Sequence, residues 1–195
     1  MKRFLDVFFS LLLILLLSPL LLLIGILILI DDGFPIIFHQ ARVGKDNALF
    51  QIRKFRTMKN GTRNAATSEL KESERQITRS GKFLRRTSLD ELPQLINILQ
   101  GSMSFVGPRP LIPEETEIRK LRAEYNVYSV RPGVTGWAQI NGRDHVSLEE
   151  KARFDQEYIE KQSLRFDIKI FFKTVLVVFR RENVLEGGEQ GAPQD

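Results

Sequence analysis

The hydrophobic pattern at the start of the chain predicts a membrane helix. No residue from Val7 to Ile30 is charged, and leucine and isoleucine dominate this run of 24 residues. At a rise of about 1.5 Å per residue, such a helix is roughly 36 Å long, which is enough to cross the hydrocarbon core of a bilayer. The run exceeds the apolar region of a signal peptide, and Asp31-Asp32-Gly33 follows it where a cleavage site needs small residues. We therefore expect this segment to remain in lipid.

A proline near the middle of the run predicts a bend. Pro19, preceded by Ser18, removes one backbone hydrogen bond and crowds the turn before it. Proline is tolerated in helices that span a membrane, so a single kinked anchor is one interpretation. A hairpin that breaks at Ser18-Pro19 is the other.

The distribution of charge favours the hairpin. The chain carries a formal net charge of +5, and the stretch from position 40 to 86 holds 13 basic against 4 acidic residues. Lys2 and Arg3 lie on the other side of the apolar run. Basic flanks mark the cytoplasmic side of a membrane segment, so both ends are expected inside. We predict a re-entrant helix-break-helix hairpin over residues 1–33, with the basic stretch facing anionic membrane lipids.

Beyond the hairpin the pattern predicts an α+β fold that is mainly helical. Short strands at 35–40 and 48–55, joined by a turn, form a small β-hairpin. The pattern predicts helices at 88–100 and 114–125, another from Ser147, and one at 164–181, separated by irregular Gly/Pro loops at 101–113 and 130–143. The predicted domain is residues 34–185, and the polar residues 186–195 are expected to be a disordered tail.

Two of these helices carry specific expectations. Ser147 and Glu150 form a capping-box pattern at a helix start. The last helix combines an apolar stripe with several lysines and arginines, so it is either an amphipathic interfacial helix or an ordinary core helix with solvated basic residues. The pattern does not choose between these two.

Composition narrows the chemistry to carboxylates. The chain has no cysteine, which excludes disulfides, thiolate nucleophiles and zinc sites built on cysteine. His39 and His145 are far apart in sequence and have no partner at metal-ligand spacing. No P-loop or serine nucleophile motif is present.

Asp90 and Glu91 are the most distinctive acids. In the purely structural interpretation, Ser88 and Glu91 form a capping box, and both acids are stabilised by the helix dipole at the start of a helix. That account leaves unexplained the arginines on nearby glycine-containing turns, Arg109 and Arg143. Arginine on a restricted loop suits phosphate binding, and such cations would favour the ionised form of Asp90, as a nucleophile or metal ligand requires.

Four motifs carry a family resemblance. They run from Lys54 to Met58, from Thr87 to Gln94, from Met103 to Pro110 and from Arg131 to Arg143. Together with the Ser18-Pro19 helix they resemble the motifs of the monotopic phosphoglycosyl transferases, also called bacterial sugar transferases, and the length is similar to that of the minimal members.

The resemblance implies a reaction in two steps. An aspartate attacks the β-phosphate of a UDP-sugar, UMP leaves, and the phospho-sugar passes to a polyprenyl phosphate such as undecaprenyl phosphate. Asp90 would be the nucleophile and a ligand of Mg²⁺, with Glu91 as its partner. The positions that we assign to substrate or phosphate binding are Lys54, Arg56, Arg85, Arg109, Gln139 and Arg143.

The same resemblance implies a location. The lipid phosphate and the UDP-sugar meet at the cytoplasmic face of the bacterial inner membrane, so the catalytic domain is expected there. A membrane-anchored basic binding module is one alternative, and it predicts that Asp90→Asn leaves function intact or improves it. A membrane scaffold without catalysis is another. We expect no nucleic-acid partner.

Overall fold

The structure is a computed structural model that describes residues 1–62, 76–141 and 146–180. The predicted α+β class is confirmed, since the described chain is mostly helical with a small β-hairpin. Its elements in order are α1 (Lys2–Asp32), β1 (Ile37–Val43), β2 (Leu49–Phe55), α2 (Arg79–Arg86), α3 (Gln94–Gln100), β3 (Ser104–Val106), α4 (Thr116–Glu124), β4 (Gly133–Thr135), α5 (Trp137–Asn141), α6 (Leu148–Glu160) and α7 (Leu164–Arg180). The predicted tail at 186–195 lies outside the described residues.

Helix α1 is long and apolar enough to cross a bilayer, and most of its surface is not buried by the protein. It is helical throughout, with Pro19 in its interior. Proline cannot donate to the carbonyl of Leu15, and the Ser18 hydroxyl donates to that carbonyl instead, at 2.8 Å. The structure therefore does not divide the helix at Ser18-Pro19, and the re-entrant hairpin stays a prediction.

Both ends of α1 are bonded to the domain. At the N-terminal end, Lys2 forms an ion pair with Asp167 of α7, and the Arg3 guanidinium donates to the carbonyl of Leu99 at 2.8 Å. At the other end, Asp31 accepts from the backbone and hydroxyl of Ser80 in α2, at 2.9 and 2.6 Å. Polar contacts thus fix the two ends of the apolar helix to one body.

Much of the core lies between α1, the β-hairpin and the helices α2 and α3. Strands β1 and β2 pair antiparallel from Ile37 opposite Phe55 to Val43 opposite Leu49, which confirms the predicted hairpin with shifted bounds. One buried cluster packs against the first half of α1 and another against its second half. The first contains Ile52, Leu95, Ile98 and Met103, and the second contains Ile24, Ile28, Phe55 and Leu84.

The two Gly/Pro-rich loops meet at a pair of short parallel strands, β3 and β4. The Gly107 amide donates to the Thr135 carbonyl at 2.9 Å, and a Cβ at Gly133 would collide with the Gly107 nitrogen. The lack of a side chain at Gly107 and Gly133 therefore lets the two loops approach each other.

The start of the Asp90 segment differs from the prediction. Ser88 has a left-handed backbone, with φ of 56°, and its side chain caps nothing. A 3-10 turn covers Leu89–Glu91, and α3 begins only at Gln94. The capping box predicted for Ser88 and Glu91 is therefore wrong.

The two C-terminal helices begin where the sequence indicates. The capping box of Ser147 and Glu150 is present at the start of α6. Helix α7 presents an apolar face to solvent, since Phe171, Phe172 and Leu176 are all about half exposed or more. The core-helix interpretation of α7 is therefore wrong, because a core helix buries its apolar stripe.

Candidate active site

A shallow pocket forms where the β-hairpin, the Asp90 segment and the two loops converge. Its polar lining combines residues from all four sequence motifs with one residue from β1. These residues are Arg42, Lys54, Glu91, Gln94, Arg109 and Gln139.

Strand geometry explains how Arg42 and Lys54 reach this pocket. Phe38 pairs with Lys54 and Arg42 pairs with Phe50, so both basic residues lie in the same alternating set of the hairpin. Because side chains alternate across a strand, these residues share one face. Arg42 was not predicted as a site residue. The alternation of side chains along the two strands could have indicated that it shares a face with Lys54.

Lys54 and Glu91 form an ion pair beside the pocket. The Lys54 ammonium lies 2.7 Å from a Glu91 carboxylate oxygen, and both side chains are partly buried. On the other side of the Asp90 segment, the Arg85 guanidinium donates to the Thr57 hydroxyl at 2.9 Å. Lys54 and Arg85 are both close enough to Asp90 to lower its pKa.

The net effect on Asp90 is nevertheless a raised pKa. Burial raises the pKa of Asp90 to about 6, and the neighbouring charge of Glu91 adds to this effect. Lys54 and Arg85 oppose it without cancelling it. The nearby cations Lys54 and Arg85 thus favour the ionised form of Asp90, but desolvation outweighs their attraction and the net shift of the pKa is upward.

Arg42 and Arg109 give the pocket positive charge. Arg42 donates to the Gln40 side chain at 2.7 Å and to the Pro110 carbonyl at 3.2 Å. Burial lowers the pKa of Arg42, and repulsion from Arg109 lowers it further. Within the described ranges, neither guanidinium lies within ion-pair distance of a carboxylate. Two arginines without an ion-pair partner in the described chain lie at one pocket, and this arrangement favours an anionic ligand.

A buried ion pair holds the backbone of Arg109. Arg122 of α4 contacts the Asp155 carboxylate of α6 at 2.6 Å, and both side chains are almost fully buried. The same guanidinium donates to the Arg109 carbonyl at 2.7 Å. Two helices outside the pocket therefore fix the loop that carries Arg109.

Two glutamines complete the polar lining. The Gln139 amide nitrogen donates to the Val134 carbonyl at 3.1 Å, while its oxygen is buried without a partner in the part of the chain that the structure describes. Gln94 is only 2% exposed. Its place in the pocket was not predicted, because a glutamine after a proline carries no distinctive signal.

Two other predicted residues, Arg56 and Ser18, lie away from this pocket. Arg56 donates to the carbonyls of Asp32 and Gly33, at 2.7 and 2.8 Å, and so holds the end of α1 instead of lining the pocket. Ser18 lies within α1. Arg143 lies outside the described residues, as does His145.

Asp90 and Glu91 are the candidate metal ligands. No cluster of three or more acidic, histidine or cysteine side chains that could hold a metal occurs among residues 1–62, 76–141 and 146–180. Magnesium commonly takes one or two carboxylates and completes its shell with water and substrate phosphates. The two adjacent acids are enough for a magnesium ion of this kind. They are too few for a metal whose ligands are all protein side chains.

The family model for bacterial sugar transferases matches residues 1–181. A UDP-glucose:undecaprenyl-phosphate glucose-1-phosphate transferase of Escherichia coli is 42% identical over 92% of this chain and 40% of the relative. The exopolysaccharide production protein ExoY of Sinorhizobium fredii is 41% identical over 91% of this chain and 84% of the relative.

A third relative differs in the sugar that it is named for. An undecaprenyl-phosphate galactose phosphotransferase of Salmonella typhimurium is 36% identical over 93% of this chain and 41% of the relative. The chain thus spans about two fifths of the length of the first and third relatives. With a family match over nearly all of its length, the chain belongs to the bacterial sugar transferase family.

Proposed function

We propose that this protein transfers a sugar 1-phosphate from a UDP-sugar to undecaprenyl phosphate. The observation that carries the proposal is the meeting at one pocket of Glu91, the neighbour of Asp90 in the chain, with Arg42 and Arg109, neither of which has a carboxylate within ion-pair distance among the described residues. A diphosphate supplies the negative charge that such a pocket lacks. The names of the relatives supply the acceptor, undecaprenyl phosphate.

In the first step, a carboxylate oxygen of Asp90 attacks the β-phosphorus of the UDP-sugar. The bond from that phosphorus to the bridging oxygen breaks, and UMP leaves with the electron pair. In the second step, a phosphate oxygen of undecaprenyl phosphate attacks the same phosphorus and releases Asp90. The product is undecaprenyl diphospho-sugar.

The electrostatics of the pocket suit this chemistry. A carboxylate with a pKa of about 6 is mostly ionised at neutral pH and is more basic than an ordinary aspartate, which favours it as a nucleophile. Arg42 and Arg109 would bind the nonbridging phosphate oxygens, where charge accumulates during transfer. The Arg122–Asp155 pair would keep Arg109 in position between the two steps.

Asp90 and Glu91 would hold Mg²⁺ when it is bound. The ion would supply further neutralisation of the diphosphate and of the leaving UMP. Lys54 is paired with Glu91 at 2.7 Å and would set the orientation of that carboxylate.

We further propose that α1 is re-entrant and that the domain lies on the cytoplasmic face of the bacterial inner membrane. The contacts at Lys2 and Arg3 and those at Asp31 attach both ends of the helix to the same domain. A chain with both ends on one body cannot place them on opposite sides of a bilayer. The exposed apolar face of α7 would lie in the same interface, next to anionic lipids.

The decisive experiment measures UMP release and the covalent intermediate together. Purified protein is mixed with a panel of UDP-sugars and Mg²⁺, and the mass of the intact protein is recorded before and after undecaprenyl phosphate is added. A phospho-sugar adduct is expected to form and then to disappear. Asp90→Asn is expected to lose both UMP release and the adduct.

The control is Asp46→Asn, which changes an exposed aspartate in the β-hairpin turn and is expected to keep full activity. UMP release without an adduct would favour direct attack by the lipid phosphate over the covalent route. An active Asp90→Asn would overturn the proposal and favour the binding module.

A further inference from the structure

Strand β3 is bonded to side chains of the membrane helix as well as to β4. The Asp6 carboxylate of α1, which is 5% exposed, accepts from the Ser104 hydroxyl at 3.1 Å and from the Phe105 amide at 3.3 Å. The next carbonyl, that of Val106, accepts from the Lys2 ammonium at 3.0 Å. The first two turns of α1 thus contact the backbone of β3 directly.

The Val106 carbonyl belongs to a hydrogen-bond network with Lys2, Tyr158 and Asp167. The Lys2 ammonium pairs with the Asp167 carboxylate at 2.5 Å. The Tyr158 hydroxyl of α6 lies 2.9 Å from the same carboxylate and 3.1 Å from the Val106 carbonyl. An ammonium has three protons and serves both acceptors at once, whereas a hydroxyl has one proton and serves one acceptor at a time. Lys2 is therefore the group that can hold both acceptors together.

The Val106 carbonyl is part of the peptide group that precedes the Arg109 loop. The N–H of the same planar group is the Gly107 amide, which donates to the Thr135 carbonyl at 2.9 Å. This peptide plane is thus held at its oxygen by the membrane helix and at its N–H by β4.

The orientation of this plane bears on the pocket. Arg109 follows it after two residues, Gly107 and Pro108. The ring of Pro108 fixes its own φ, whereas Gly107 has no side chain to restrict its angles. The plane therefore sets the direction in which the loop leaves β3 and the place where Arg109 reaches the pocket. At the far end of the loop, Arg122 holds the Arg109 carbonyl.

We propose that Lys2 is a positioning residue for Arg109, so that the first turn of the membrane helix helps to shape the diphosphate pocket. The inference rests on the proposed function, because it takes Arg109 to bind a diphosphate. Lys2 acts through the backbone of β3 and not by contact with substrate. The membrane helix then has a part in substrate binding in addition to attachment.

Loss of Lys2 has a specific consequence for the Val106 carbonyl. Burial raises the pKa of Tyr158, so its hydroxyl stays a donor. The charged Asp167 carboxylate is a stronger acceptor than a carbonyl, and the single Tyr158 proton is expected to go to it. The Val106 carbonyl then has no donor in the network, and the peptide plane is held at the Gly107 amide alone.

The test measures binding of UDP, which carries the diphosphate and requires no choice of sugar. Calorimetry in detergent with Mg²⁺ compares the wild type, Lys2→Met, Arg109→Met and the double variant. Lys2→Met is expected to weaken UDP binding roughly 5-fold or more, the size of one net hydrogen bond. In the Arg109→Met background the same change is expected to alter the affinity by less than about 2-fold, because both residues act through one contact.

The matched control is Arg3→Met, which loosens the same end of α1. The Arg3 guanidinium donates to the carbonyls of Ile98 and Leu99 in α3 instead of β3. This variant is expected to lower the thermal melt and to keep the UDP affinity within about 2-fold. Hydrogen exchange of residues 103–110 without UDP is expected to be faster in Lys2→Met than in Arg3→Met, which tests the loop independently of any ligand.

A second pair of variants avoids the buried unpaired carboxylate that Lys2→Met leaves. In Lys2→Met/Asp167→Leu, the Val106 carbonyl is the one acceptor that the network still offers to Tyr158. UDP binding is therefore expected to recover to within about 2-fold of the wild type. Adding Tyr158→Phe is expected to remove this recovery. This pair decides the inference if Lys2→Met fails to fold.

The outcomes separate this inference from the proposed function. An unchanged UDP affinity in Lys2→Met, or the same loss with and without Arg109, would overturn the inference and leave the proposed function in place. An equal loss in Arg3→Met would make Lys2 an attachment of the helix only and would also overturn it. A wild type that binds no UDP and forms no adduct would overturn the proposed function and this inference together.

Discussion

Replacing Asp90 with asparagine is expected to abolish transfer and, in metal-free buffer, to make the protein more stable. The carboxylate is partly buried, and desolvation outweighs its attraction to Lys54 and Arg85. An ionised Asp90 therefore destabilises the folded protein. Asparagine has nearly the same shape and carries no charge, so it removes this cost.

The size of the effect follows from the pKa. Burial raises the pKa of Asp90 from 3.8 to about 6, and each unit corresponds to about 1.4 kcal/mol, which gives an effect on the order of 3 kcal/mol. Because the pKa is higher in the folded state, the folded protein binds more protons than the unfolded chain between pH 4 and 6. The free energy of unfolding of the wild type therefore falls by this amount as pH rises from about 4 to 6, and it falls no further above that range.

The assay is urea unfolding in detergent with EDTA, followed by circular dichroism from pH 4 to 8. The gap in free energy of unfolding between Asp90→Asn and the wild type is expected to be near zero at pH 4 and to reach up to about 3 kcal/mol at pH 8. Asp46→Asn, at an exposed position, should show no such gap. A gap that does not change with pH, or a wild type more stable than Asp90→Asn at pH 8, would refute the reasoning.

Three further predictions concern the surroundings of the site. Arg122→Met leaves Asp155 as a buried unpaired charge and is expected to lower the free energy of unfolding in urea by about 3–5 kcal/mol. The control Lys161→Met breaks an exposed ion pair and should lower it by less than about 1 kcal/mol. Equal losses would contradict a buried role for the Arg122–Asp155 pair. Leu84→Ala truncates a fully buried side chain beside α1 and is expected to lower the free energy of unfolding by about 2–5 kcal/mol in the same assay. A loss below about 1 kcal/mol would mean that α1 does not cover this part of the core. The chain has no native cysteine, so a cysteine introduced by Lys2→Cys can be labelled selectively. It should react with an impermeant maleimide only from the cytoplasmic side, which inverted vesicles expose. Labelling from the other side alone would make α1 a spanning anchor.

Local sequence patterns determined several elements of this protein. The apolar run predicts α1, alternation predicts the β-hairpin, and the Ser147–Glu150 box predicts the start of α6, because each depends on residues close together in the chain. The motifs also placed the chain in its family and pointed to Asp90. A helix, a hairpin or a cap is stabilised largely by neighbours in sequence, so these features can be predicted without coordinates.

Only the tertiary structure decided what the site residues contact. Arg56, which we expected at a phosphate, holds the end of α1, while Arg42, which carried no motif, joins Arg109 at the pocket. The sign of the Asp90 shift also depended on the fold, since the sequence indicates neighbouring cations but not how much water the fold removes. Desolvation and long-range contacts arise from chain segments distant in sequence, and they become fixed only when those segments pack together.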